Sequence, residues 1–350
     1  MAYTTIDDPS AYFQTVLWTG NGSARSITLD GNSDMQPDWV WLKRRNSARN
    51  HALLDSVRGG TKQLISNSTA AEGTDAQLIT SFDSDGFSLG TSNDCNSSGD
   101  TFVGWNWKAG GSASSNTDGS ITSTVSASTD AGFSIVSWTG NGSAATIGHG
   151  LGSAPKVVII KSRDNAHAWF VGHESLGWTK YMTLENANAI NDDVIWNDTA
   201  PTSSVFSVGG YSSTNGSGVK FIGYCFAEKK GYSKFGSYTG NNNADGPFVY
   251  LGFKPAFIMM KSTSTGGDNA YSWSMFDNKR SSYNIERAML KANLSDAEYT
   301  SGSNADVDIL SNGFKMRASP NETNGANTYI YMAFAQSPFV TSTGIPTTAR

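Results

Sequence analysis

Side chains able to do chemistry are few in this sequence, and their spacing argues mostly for turns. Hydrolysis of a glycosidic bond needs two carboxyl groups set across a cleft. The candidate pairs are Asp83/Asp85 and Asp192/Asp193. Both stand in Gly/Ser/Asn-rich stretches, where Asp serves the turn backbone. They are read as turn residues. His167, His173 and Glu174 are metal-type ligands, but a spacing of six does not set two ligands on one strand face before a tight turn. They are read as surface or turn residues. Asp83-Ser-Asp85-Gly86 begins like a calcium loop, yet no EF-hand oxygen spacing continues from it. Cys95 and Cys225 are too few to staple the fold or to build a cysteine zinc site. No nucleophile elbow, phosphate loop or dinucleotide fingerprint stands in a strand-to-helix setting. No catalytic residue, metal or cofactor is expected. What remains is stacking. Trp169, Trp178, Trp196 and Trp273 lie outside the strands identified below, and exposed indoles there would bind sugar rings. These four are the expected binding residues, against the general tendency of Trp to be buried.

The elements that would position them follow from composition and repetition. The chain has 350 residues, 25 Lys+Arg against 30 Asp+Glu, a formal charge of −5, and 11% aromatic residues. Disordered chains are charge-rich and aromatic-poor, so disorder is excluded. The absence of a basic block argues against nucleic-acid binding. The N-terminus lacks a basic and an apolar region, and no run approaches ~18 apolar residues, so neither an export signal nor a membrane span is expected. Low charge with 37 Gly and many aromatics reads as an all-β protein.

The strongest feature is self-similarity. Trp18-Thr-Gly-Asn-Gly-Ser23 recurs as Trp138-Thr-Gly-Asn-Gly-Ser143 and, weakly, as Tyr238-Thr-Gly-Asn241. A second landmark is Pro-x, four apolar residues and Lys: Pro37 to Lys43, Pro155 to Lys161, Pro255 to Lys261. Two closing strands then lie 15 residues apart in each copy, beginning at Phe87 and Phe102, Phe206 and Phe221, and Phe314 and Tyr329. In the last strand Val103/Ile222/Ile330, Trp105/Tyr224/Met332 and Trp107/Phe226/Phe334 sit two apart, which predicts one core face. The Pro-led strand is apolar throughout and should be covered on both faces, one by its own core and one by a neighbouring unit or subunit. Asp55 aligns with His173, so that polar position changes chemistry between copies. The expected fold is three tandem β-sandwich or jelly-roll-like, lectin-like units with little helix. They span 1–110, 131–230 and 231–338, with a Gly/Ser/Thr-rich linker and weak edge strand at 111–130 and an arm at 339–350. One helix is expected, over Tyr283 to Asn293, with Ile285, Met289 and Ala292 on one face.

These motifs, the stretch Asp118 to Phe133 and the ending Ser342 to Arg350 resemble a repeat of tail-fibre and other virion proteins of marine, cyanophage-like tailed phages. The resemblance spans nearly the whole chain. It implies a non-enzymatic virion structural protein, a tail fibre or tail-associated component contributing to host attachment. It would be assembled in the host cytoplasm, and its partners would be tail or capsid proteins and a host-surface glycan or protein. Capsid-surface decoration, and a secreted carbohydrate-binding protein or depolymerase, are the alternatives. A homo-oligomer, a trimer by preference, would cover the apolar faces, and three units folding into a pseudo-threefold within one chain would do the same.

Overall fold

Successive residues of the strand Trp39–Arg44 point to opposite faces, and both faces are apolar, so both must be covered. The computed structural model of the chain describes residues 2–264, 271–281, 283–300 and 306–347, and it covers them with two different cores. Trp39 and Trp41 enter a large central cluster. Val40 and Leu42 enter a separate one with Phe87 and Leu89. The strand Val157–Ser162 divides in the same way, Val157 and Ile159 inward, Val158 and Ile160 outward against Phe206 and Val208. The protein is all-β, its ladders antiparallel, with several sheets packed face to face.

Three sheets share one strand order. In the first, the opening strand Phe13–Thr19 pairs with the closing strand Thr101–Trp107, which pairs with the Pro-led strand Trp39–Arg44, which pairs with the outer strand Ala52–Asp55. The second runs Phe133–Thr139, Lys220–Phe226, Val157–Ser162, Phe170–His173. The third runs Ser233–Thr239, Thr328–Pro338, Phe253–Ser262, Ser274–Asp277. A smaller ladder lies over the far side of each: Arg25–Ile27 with Gly86–Leu89, Ala145–Gly148 with Val205–Val208, and Phe248–Tyr250 with Gly313–Met316.

The inner faces of all three meet in the central core. Trp39 stacks on Tyr224 of the second sheet at 4.5 Å and 20°. Trp105 meets Phe257 of the third at 5.7 Å, edge to face. Phe334 touches both Trp107 and Phe226, at 5.6 and 5.8 Å. Each such ring removes roughly 150–250 Å² from water. At ~25 cal/mol per Å² that is about 4–6 kcal/mol per ring before ordering costs. The apolar faces that called for a partner subunit are thus covered within one chain.

The Trp-Thr-Gly-Asn landmark has a local cause. The turn lies against a buried Asn: Asn96 Oδ1 accepts from Asn21 N at 3.1 Å, and Asn324 Oδ1 from Asn241 N at 3.0 Å. Asn215 holds the second copy through its Nδ2, which donates to Ser143 O at 2.7 Å. The Gly stands so close that a Cβ would run into the backbone carbonyl of Ser97 at Gly20, of Gly216 at Gly140, and of Gly325 at Gly240.

Two local expectations change, and the edge strand expected within 111–130 is found. The helix expected over 283–293 is extended chain. Glu286 exchanges backbone bonds with Val307 at 2.8 and 3.1 Å, Met289 with Tyr299 at 2.9 and 2.8 Å, and Leu290–Lys291 pairs with Ser274 and Met275. Glu286, Ala288, Met289 and Leu290 are buried while Arg287 is exposed, and the long-range backbone partners outweigh the helical spacing of Ile285, Met289 and Ala292. The 111–130 stretch contributes two strands, Ser114–Asn116 and Ser123–Ser128, to the edge of the second sheet. In the third sheet the Pro-led strand starts before its proline, and the ladder shifts register around Pro255, which has no N–H to give. Among the described residues no helix is long and apolar enough to cross a membrane.

Candidate functional site

The last residue of each outer strand reaches the next sheet. Asp55 is paired with Trp39, His173 with Val157 and Asp277 with Phe257, so the three occupy one position. Asp55 Oδ2 accepts the Tyr224 hydroxyl at 2.8 Å, from the closing strand of the second sheet. Asp277 Oδ2 accepts the Trp105 indole N–H at 2.9 Å, from the closing strand of the first. His173 Nε2 donates to the Tyr331 carbonyl at 3.1 Å, on the closing strand of the third. First to second, second to third and third to first, the contacts run head to tail and close.

Burial of these charges demands partners. Arg58, three residues after Asp55, bonds Asp55 at 2.5 Å and Glu72 at 3.2 Å, and Glu72 forms a fork with Arg163 of the second sheet at 2.9 and 3.0 Å. Arg280, three residues after Asp277, bonds Asp277 at 2.5 Å and Glu298 at 3.1 Å, and Glu298 forms the same fork with Arg45 at 2.9 Å on both arms. The second-to-third seam has Leu176 in place of the arginine and Thr263 in place of Arg45. There the Ile190 N–H donates to the Thr263 carbonyl at 3.3 Å.

The lysines that end the Pro-led strands are fully buried and join the same three seams in the opposite sense. Lys43 Nζ donates to Ser295 O at 3.2 Å, Lys161 to Thr69 O at 3.1 Å and Lys261 to Ala187 O at 3.3 Å, each a carbonyl of a neighbouring unit. Loss of hydration pulls their ammonium groups down to about 8, 8 and 7.

Trp169 and Trp273 belong to this circuit, not to a surface. They stand at one position with His51, one residue before the strand segment that pairs with the Pro-led strand. Trp169 Nε1 donates to Ile65 O at 2.9 Å, Trp273 Nε1 to Thr183 O at 2.9 Å, and His51 Nε2 lies 3.0 Å from Lys291 O. Trp196 is buried too, with its indole N–H unpaired, and the half-buried Trp178 packs edge-on against it at 5.5 Å. The expectation of four exposed indoles is therefore corrected. The size and amphipathic edge of Trp169 and Trp273 suit the joints between sheets, where a large ring needs one hydrogen bond.

The other chemical candidates are occupied by structure. Asp83 accepts from Ser81 and Ser88 hydroxyls at 2.6 and 2.7 Å. Asp193 caps Val194 N at 2.8 Å and takes the Tyr211 hydroxyl at 2.6 Å, while Asp192 lies exposed on a two-residue edge strand. Glu174 pairs with Lys156. Cys95 and Cys225 are buried, and burial pushes their thiols up, Cys95 to about 12. Among the described residues no three His, Cys, Asp or Glu side chains gather as they would around a metal ion.

One cleft, of about 270 Å³, opens beside the third sheet and is lined by Lys254, Asn278, Tyr283, Glu286 and Gln336 among others. Burial raises the Glu286 carboxyl to about 8. Among the described residues that line it there is no second carboxyl, so the pair that glycoside hydrolysis requires is not assembled there.

The exposed aromatics are other residues, which the sequence reading does not single out. Tyr211, Tyr283 and Tyr299 are exposed at separate places, and Phe248 and Tyr250 are 46% and 49% exposed on the ladder covering the third sheet. The signal for the latter two is the triplet Phe248-Val249-Tyr250, two rings alternating about a buried valine, with Phe248 at the position that carries Ser26 and Thr146 beside the other two sheets.

Residues 8–338 match the family described as Domain of unknown function (DUF7483). No curated protein matches the sequence.

Proposed function

The chain belongs to the DUF7483 family, and we propose that it is a non-enzymatic virion structural protein, a tail-fibre or tail-associated component that contributes to host attachment. The observation that carries this reading is the allocation of its chemistry. Buried Asp55, Asp277, Arg58, Arg280, His51 and His173, which a catalyst would deploy in a cleft, are spent on three joints between sheets. Of the rings exposed among the described residues, Phe248 and Tyr250 stand together on one ladder, while Tyr211, Tyr283 and Tyr299 are exposed at separate places. Such a body is built to persist and to present a surface. The likeness of its Trp-Thr-Gly-Asn, Pro-led and closing motifs to phage virion repeats supplies the setting, with other tail or capsid proteins as neighbours.

Immunogold labelling of purified particles, or fitting the chain into a particle reconstruction, tests the reading. Density at the distal tail supports attachment. Density on the capsid shell overturns it in favour of a decoration protein, and absence from the particle overturns the virion assignment altogether.

A further inference from the structure

Phe248 and Tyr250 stand two apart on one strand, so they share the face opposite the buried Val249. The cross-strand pair at this place is hydroxyl to hydroxyl beside the other two sheets: Ser26 opposite Ser88, with their Oγ atoms 2.9 Å apart, and Thr146 opposite Ser207. Beside the third sheet it is Phe248 opposite Lys315. Phe248 thus replaces a small hydroxyl residue, a second half-exposed ring, Tyr250, stands two residues on along the same face, and contiguous exposed aromatics mark a contact surface.

The surroundings specify the contact. The Tyr3 hydroxyl donates to Gly252 O at 2.8 Å and lies 3.4 Å from the Tyr250 hydroxyl, which extends the aromatic row by a third ring. Lys230 Nζ sits 4.5 Å from the Tyr3 ring centre and Lys234 Nζ 5.4 Å from that of Tyr250. Lys234 also donates to the Tyr250 carbonyl at 2.8 Å. Among the described residues neither ammonium pairs with a carboxylate, whereas Lys315 is neutralised by Asp245 at 2.7 Å. On a chain of formal charge −5, this is a local reversal of sign beside a row of rings.

We infer that this ledge binds an acidic polysaccharide. The apolar C–H faces of successive pyranose rings lie on Phe248, Tyr250 and Tyr3, and the carboxylate or sulfate groups of the polymer meet Lys230 and Lys234. A ledge of rings, without an enclosing pocket, takes an extended chain, and the unpaired cations select acidic over neutral sugars. The inference deepens the attachment reading and rests on it for where the protein meets the polymer.

The test is affinity electrophoresis of the purified full chain through gels containing alginate, a polyuronate, or dextran, a neutral glucan. Alginate is expected to retard the wild type and dextran to leave it unchanged. Phe248→Ser, which installs the residue type found at this place beside the first sheet, and Tyr250→Ser are each expected to weaken retention at least tenfold with an unchanged melting temperature. Lys234→Gln is expected to weaken it and flatten its dependence on salt. Migration unaffected by alginate, equal retardation by dextran, or unaltered retention of Phe248→Ser overturns the inference. So does a wild-type dimer that Phe248→Ser turns into a monomer, because the ledge is then an interface between copies. Particle location is read independently: an alginate-binding chain found on the shell removes the attachment reading and leaves the ledge, and a tail-located chain that ignores alginate does the reverse.

Discussion

Trp105 of the first sheet donates its indole N–H to Asp277 of the third at 2.9 Å, although 172 residues separate them in the chain. Asp277 also holds Arg280, which is itself fully buried, so the carboxylate is the common partner of two groups that cannot reach water. The same arrangement joins Tyr224, Asp55 and Arg58 across the next seam.

Removing that carboxylate leaves the buried Arg280 guanidinium with Glu298 as its one remaining carboxylate partner and the Trp105 indole N–H without an acceptor. Asp277→Ala is expected to lower stability by about 3–5 kcal/mol, the usual cost of removing one partner of a buried pair. Urea unfolding measures it, and a loss below about 1 kcal/mol refutes the joint as described. Asp55→Ala is expected to fall in the same range.

Acid should attack the joints before alkali does. Burial holds His51 near 3 and His173 near 4, each keeping one ring nitrogen as an acceptor, from the Trp41 indole and the Ser175 N–H respectively. A histidine in the unfolded chain titrates near 6.5. Below that pH the unfolded state takes up protons that the folded state refuses, so stability falls as the pH drops, by about 1.4 kcal/mol per unit for each such group. Around His173 the facing groups are the Tyr331 carbonyl and Glu174, which only partly oppose the shift. Glu286, whose carboxyl burial raises to about 8, takes up a proton on folding over the same range and offsets about one histidine. The melting temperature should therefore decline from pH 6.5 to 4.5 on the remaining balance, with a shallower slope in His173→Gln. A flat profile over that range rules the explanation out.

Gly140→Ala tests the close approach in the Trp-Thr-Gly-Asn turn. The added methyl meets the Gly216 carbonyl, which belongs to backbone and cannot swing aside. The expected loss is about 1–3 kcal/mol, as for other overpacked sites. Thermal melts decide, and a neutral result means that the turn has room to spare.

Trp169→Phe separates structure from binding. It deletes the bond to Ile65 O and some packing between the first two sheets. Stability should fall by about 1–3 kcal/mol, while retention on alginate stays at the wild-type level. A selective loss of retention would return Trp169 to the surface role that its burial argues against.

Local periodicity carried much of the architecture. Val103, Trp105 and Trp107, two apart and large, are buried on one face as their spacing required, and the unbroken apolar run after Pro37 is covered on both sides. What pattern does not carry is the identity of a partner far along the chain. The alignment of Asp55 with His173 marked a position whose chemistry varies, but nothing local says that each reaches a neighbouring sheet. Residue type misleads in the same way for Trp169 and Trp273. An indole offers the same ring to a sugar and to a seam, and only the carbonyls of Ile65 and Thr183 decide between them.

The head-to-tail closure also imposes a timetable on synthesis. Arg45 and Trp105 leave the ribosome well before Asp277, Arg280 and Glu298, which cover and neutralise them, with 172 positions between Trp105 and Asp277. Until that stretch emerges the first sheet must display an indole edge and an uncompensated guanidinium. The segment from Asp277 to Glu298 therefore acts as the clasp that ends this exposure.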